Sequence, residues 1–102
     1  MERTSIASAL DFQSLLADTL DRVEALDRTA PPEYHVFDNI AAKLRALQTW
    51  SAEGKAPLSN AQKAKIDIGL IAIREFEDNP DPKIQEISRA LMGLSAYMRT
   101  HL

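Results

Sequence analysis

The chain has 102 residues, enough for one domain and too few for two. Its 45% hydrophobic content supplies a packed core, and the absence of cysteine excludes disulfides and thiolate metal sites. A formal charge of −3 disfavours nucleic acid and anionic membrane surfaces, whose binders present a basic face.

The opening residues, Met1 to Ser8, lack the apolar run of a secretory signal. No stretch approaches the ~18 uninterrupted apolar residues of a membrane span, so the expected location is the cytoplasm. Four amphipathic segments follow one another, expected as helices over about 8–28, 33–52, 60–77 and 82–99.

In the first segment, Leu10, Phe12, Leu15, Leu16, Leu20, Val23 and Leu26 recur at helical spacing. Asp18–Arg22 and Glu24–Arg28 are acid-before-base pairs one turn apart, as on a solvated helix face. Pro31-Pro32 forbids continuation, because proline lacks the N–H and restricts the residue before it.

The second helix is expected to start at Pro32 or Glu33, since proline is well tolerated at a first helical position. Val36, Phe37, Ile40, Ala41, Leu44 and Leu47, with Trp50, make its apolar stripe. Gly54 and Pro57 are the expected stop.

The third helix opens on Ser59-Asn60-Ala61-Gln62, which has the spacing of a capping box. Ala64, Ile66, Ile68, Leu70, Ile71, Ile73 and Phe76 follow. This β-branched run reads as helix for two reasons: its flanks are good helix formers, and a lone strand would find no partner. It is expected to be the most buried helix. The fourth begins with Asp81 as N-cap and Pro82 at the first position. Its residues Ile84, Ile87, Leu91, Leu94 and Met98 make a regular core seam.

The expected fold is therefore all-α: a single domain over residues 1–102, a compact bundle of about four antiparallel helices, each roughly 30 Å long. Folding the third helix onto the fourth about the turn near Asn79 sets Gly69 opposite Ala90 and Ile66 opposite Gly93. Glycines near one seam predict a close approach of these two helices.

Signals of chemistry are few. His35 and His101 have no histidine or carboxylate at the spacing of a helical metal site, so no metal is expected. His35-Val36-Phe37-Asp38 does not match a phosphorelay histidine, and glycines 54, 69 and 93 form no phosphate loop. No cofactor is expected. Arg22, Lys43, Arg45, Arg74 and Arg89 read first as solvated helix faces and second as a convergent anion site.

The densest charge feature is Glu75, Glu77, Asp78 and Asp81. Helix capping explains Asp81 and extends to Asp78. Glu75 and Glu77 lie at the C-terminal end of a helix, against its dipole, which points to a basic partner surface. Tyr34 and Trp50 read first as ends of the core and second as interface anchors.

The run Ile68-Gly69-Leu70-Ile71-Ala72-Ile73-Arg74-Glu75-Phe76, followed by an acidic turn and Asp81-Pro82, resembles a known family. It is similar to the immunity proteins of type VI secretion effectors that hydrolyse NAD(P)+. The Tyr34-x-Val36 start and the Leu44 to Leu47 spacing also look similar, so the likeness covers the second to fourth helices. The resemblance implies a compact helical protein, made by the toxin-producing bacterium. It would bind a cognate toxin domain and block NAD+ from its active site without catalysis.

Under that reading Glu75, Glu77, Asp78 and Asp81 are the expected toxin-binding residues, steering association with a basic nucleotide-binding cleft. A second reading is a self-associating structural or adaptor bundle, a weak homo-oligomer using the wide apolar face of Phe12, Leu15 and Leu16. A third is a small helical enzyme acting on an anionic metabolite.

Overall fold

A computed structural model describes residues 9–52 and 58–101. These residues form five helices and, among themselves, no strand: α1 (Ala9–Thr29), α2 (Val36–Ala52), α3 (Asn60–Lys65), α4 (Ile68–Phe76) and α5 (Pro82–His101). No helix among them is long and apolar enough to cross a membrane.

The long helices form a closed ring in which α1 packs on α2 and α5, and α4 packs on α5 and α2. Neighbours are antiparallel. Phe12 stacks on Tyr97 while Arg22 reaches Glu86, so numbers rise along α1 as they fall along α5. Phe37 on Phe76 and Lys43 on Asp67 show the same between α2 and α4. The expected all-α bundle is the observed fold.

Helical stripes converge on one core. Phe12, Leu16, Leu20 and Val23 come from α1, and Phe37, Ile40, Ala41, Leu44 and Leu47 from α2. The whole α5 seam, Ile84, Ile87, Leu91, Leu94 and Met98, is buried. Each large side chain removed from water contributes about 1.5–3 kcal/mol before entropy is counted. Leu15 is half-buried against this core, and so is Trp50, as its core reading expected. The apolar face of α1 is thereby absorbed, which removes the proposed surplus at Phe12, Leu15 and Leu16.

Two features of the expected helices differ: where the second begins and whether the third is continuous. The second helix starts at Val36, not at residue 33. The proline pair instead supports a turn in which the Tyr34 amide donates to the Pro31 carbonyl at 3.0 Å. The fixed φ of Pro32 serves that turn. Helical bonding begins when Asn39 N–H donates to His35 O. Gly54 and Pro57, the expected stop of this helix, lie outside the described residues.

The third segment is two helices, with Ile66 and Asp67 between them. Ile66 has φ −103° and ψ 74°, and Asp67 has φ −94° and ψ 39°, so neither continues the helix. The cause is geometric. Residues two apart on a helix point nearly opposite ways. Ile66 and Ile68 are nevertheless both buried, at 2% and 0% exposure, which one straight helix cannot achieve. Breaking the backbone turns both inward. At the break the Asp67 carbonyl accepts from Ile71 N–H and starts α4.

The expected close approach exists at Gly69, in a different register. A Cβ there would lie 3.0 Å from Ser95 Oγ, so Gly69 faces Ser95 and not Ala90. Side chains lean toward the N-terminus of their helix, so a given spot is covered by a residue further along. On an antiparallel pair that offset adds on both helices, which a count from the turn alone misses.

Candidate protein-binding surface

The α4–α5 connection is built by its own polar residues. Asp81 Oδ1 accepts from Lys83 N–H at 2.9 Å, the N-cap role expected of it. Asn79 Oδ1 accepts from Asp81 N–H at 2.9 Å. The Gln85 amide donates to the carbonyls of Phe76 and Asn79, which ties the end of α4 to the first turns of α5. Asp81 thus has a structural role in full view.

Glu75, Glu77 and Asp78 do not. All three are exposed, and no ion pair among the described residues involves them. The fold brings the four acids to one end of the bundle without making them a single cluster. Glu75 lies near Tyr34, whose hydroxyl pKa is raised by burial and then by the Glu75 carboxylate. Glu77, two residues on, faces the other way, into the groove between α4 and α5 with Arg89 and Met92.

The ring topology adds acids that the linear sequence did not group with these. The α1–α2 connection lies at the same end, and with it come the exposed carboxylates of Glu33 and Asp38. The available signal was the up-and-down topology itself, which places alternate turns together. Tyr34 is 37% exposed there, edge-on to Phe37 at 5.4 Å. It thus rests its ring edge on the core at Phe37 while a good part of it stays in water beside the acids.

Three of the basic residues are held in ion pairs, and Arg74 lies near enough to Asp67 to act on it beside Lys43. Arg22 binds Asp18 and Glu86, Arg45 binds Glu24, and Lys43 binds Asp67, each pair at a different place. Glu24 was expected to pair with Arg28 along α1; it instead receives two guanidinium bonds from Arg45 of α2, at 3.2 and 2.7 Å. Both bonds converge on one carboxylate oxygen, Glu24 Oε2, and tie α1 to α2. The Lys43 hydrogen bond also holds the Asp67 carboxyl below its ordinary range. Among the described residues no group of His, Asp or Glu is arranged to hold a metal ion.

A second surface feature escaped the sequence reading. Leu70, Ile73 and Met92 are 50%, 47% and 45% exposed. They flank the outer groove between α4 and α5, whose floor is small: Gly69, Ala72, Ser88, Ser95 and Ala96. Among the described residues, the segment expected to be the most buried helix therefore carries the two most exposed large apolar side chains, Leu70 and Ile73. The α4 stripe Ile68, Ile71, Ala72, Phe76 is buried, and at helical spacing Leu70 and Ile73 fall on the opposite side. The uniform hydrophobicity of the run hid that periodicity.

A helical bundle whose exposed features are an acidic end and an apolar outer face is equipped for contact with another protein. The sequence model of the Tsi6 family matches residues 12–100, from the first turn of α1 almost to the end of α5. The chain belongs to the Tsi6 family, a family of type VI secretion immunity proteins, whose partner is a cognate toxin protein. Searches of curated proteins and of solved structures returned no match.

Proposed function

We propose that this protein inhibits an NAD(P)+-degrading type VI secretion effector by binding its toxin domain and occluding the active site, with no chemistry of its own. Family membership supports the immunity role. The likeness of the Ile68–Phe76 run and the Asp81-Pro82 turn to immunity proteins of NAD(P)+-hydrolysing effectors supports the target. The observation that carries the occlusion step is the acidic end of the bundle, where Glu75, Glu77 and Asp78 have no ion-pair partner among the described residues.

A pocket that holds the pyrophosphate of a dinucleotide must present cations or N–H donors. Carboxylates on a rigid helical scaffold offer such a pocket a complementary charge. They raise the encounter rate, and they occupy donors that the substrate would otherwise engage. Asp81 contributes to this end mainly by holding α5 in place, and the side chains meeting the toxin are Glu75, Glu77 and Asp78. A toxin that acts in the cytoplasm places its inhibitor there as well.

The test is to add the chain to the toxin domain and follow NAD+. Stoichiometric protection and co-purification are the expected results. Continued NAD+ loss in the presence of excess chain, or no complex, would end this reading.

A further inference from the structure

We infer that the outer groove between α4 and α5 seats one amphipathic helix of the toxin-bearing partner, which places two large apolar side chains, a heptad apart, in two hollows. This rests on the toxin reading and adds to it the kind of element that the partner presents.

The groove holds two hollows in line, of about 340 and about 200 Å³. From α5 the first is lined by Gln85, Ser88, Arg89 and Met92. The second is lined by Met92, Ser95, Ala96 and Arg99. Each set is a residue i with i+3, i+4 and i+7, the diamond that receives one knob of a facing helix. Every member of the second set stands seven residues beyond its counterpart in the first.

At a rise of about 1.5 Å per residue, the two diamonds lie about 10 Å apart along α5. Side chains seven apart on an incoming helix have that same spacing. A strand presents same-face side chains at about 7 and then about 13 Å, and so fits one hollow and misses the other. From α4, Leu70, Ile73 and Glu77 close the opposite wall, with Ile73 and Met92 lining both hollows. Ser88 and Ser95 are buried at the floor, and their small size lets a knob enter between the helices. Knobs in both hollows would cover Leu70, Ile73 and Met92, the apolar side chains that the bundle leaves in water.

Among the described residues, the exposed large apolar side chains are Tyr34, Leu70, Ile73 and Met92, and no two of them lie seven apart. A second copy therefore has no helix with these knobs to give. Residues 1–8 and 53–57 carry no pair of large apolar residues at that spacing either. The toxin-bearing partner is favoured because Glu77, one of the acids assigned to its contact, lines the first hollow. The groove thus continues that contact without a gap. Charge also sets a direction. The positive N-terminal end of a helix is favoured beside Glu77 and Asp78, and its negative C-terminal end beside Arg99, so the seated helix runs the same way as α5.

The probe is the cognate toxin domain, with complex formation and NAD+ protection read side by side. A photo-crosslinking side chain is placed at Arg89 or at Ala96, both exposed. Each should capture the toxin domain. Mass spectrometry should then find the two captured residues about seven apart in one helix, the partner of position 89 coming first. Leu70→Gln and Met92→Gln should each speed dissociation about tenfold, at low and high salt alike, because the lost contact is apolar and uncharged. Circular dichroism and melting of each variant confirm the fold. Captured residues in separate segments of the toxin, or native dissociation rates from both glutamine variants, would overturn the helix seat while NAD+ protection by the native chain left the toxin reading intact. No complex with the native chain would end both.

Discussion

Gly69 sits where α4 and α5 come closest, and two effects of opposite sign meet there. Alanine would gain about 1 kcal/mol of helix propensity. Its methyl group would lie 3.0 Å from Ser95 Oγ and 3.1 Å from Ser95 Cβ. The hydroxyl can rotate away, but the Cβ is fixed to the α5 backbone, so relief requires the helices to part. Overpacking of this kind costs about 1–3 kcal/mol. Gly69→Ala should therefore lower the melting temperature, by about 4–8 °C for each net kcal/mol. A higher melting temperature would show that the seam has room to spare. The glycine was legible in the sequence as a point of close approach; its partner was not, because register depends on side-chain lean and helix crossing. Asp67 makes the second residue-scale case. Lys43 holds its carboxyl below the ordinary range, so the folded state binds that proton more weakly than the unfolded chain. The stabilisation is present above the unfolded carboxylate value and is lost as pH falls through the folded value. Asp67→Asn should be less stable than the native chain at about pH 7, with the difference closing by about pH 2. Urea denaturation at both values checks this; a gap that persists in acid would assign the effect to something other than charge.

At the scale of the element, the informative feature is the break between α3 and α4. The capping box at Ser59 is formed in full: Ser59 Oγ accepts from Gln62 N–H, and Gln62 Oε1 accepts from Ser59 N–H. Yet α3 has only 6 residues and no buried side chain, so its cap supports a short helix that little else holds. Ser59→Ala removes about 1 kcal/mol of local stability. The expected outcome is faster amide exchange in residues 60–65, with little change in global melting, because local opening there is not coupled to the core. Uniformly faster exchange across α4 and α5 would contradict that separation. The cap was legible because its chemistry is local. The break was not, because Ile66 and Ile68 each favour burial and only the packed core reveals that both achieve it. Leu70 and Ile73 show the same limit: in an apolar run, the buried face is chosen by the neighbouring helices.

For the whole molecule, the ring of antiparallel helices gathers the α1–α2 and α4–α5 turns at one end, and with them Glu33, Asp38, Glu75, Glu77, Asp78 and Asp81. Charge so placed acts at a distance and is screened by salt over about 8 Å at physiological ionic strength. Combined reversal, Glu75→Lys with Glu77→Lys, should slow association with the toxin domain roughly tenfold at low salt, and less at high salt. Helicity should be unchanged, since both side chains are exposed. Inhibition kinetics at two ionic strengths make the measurement. Equal rates for the native and reversed chains would remove this end of the bundle from the toxin contact. Asp81 is left out of that pair because its cap on α5 would confound fold with contact.

By itself the amino-acid sequence determined the helical class, the stripes of α1, α2 and α5, the caps at Ser59 and Asp81, and a family likeness that the match over residues 12–100 bears out. Each of these is written in neighbours along the chain, through backbone hydrogen bonds or a period of helical turns. Only the tertiary structure decided where the third segment breaks, which apolar residues stay outside, that Glu24 takes Arg45 and not Arg28, and which acids share one end. Those outcomes depend on groups distant in sequence competing for the same space or charge, and that competition is settled when the helices pack.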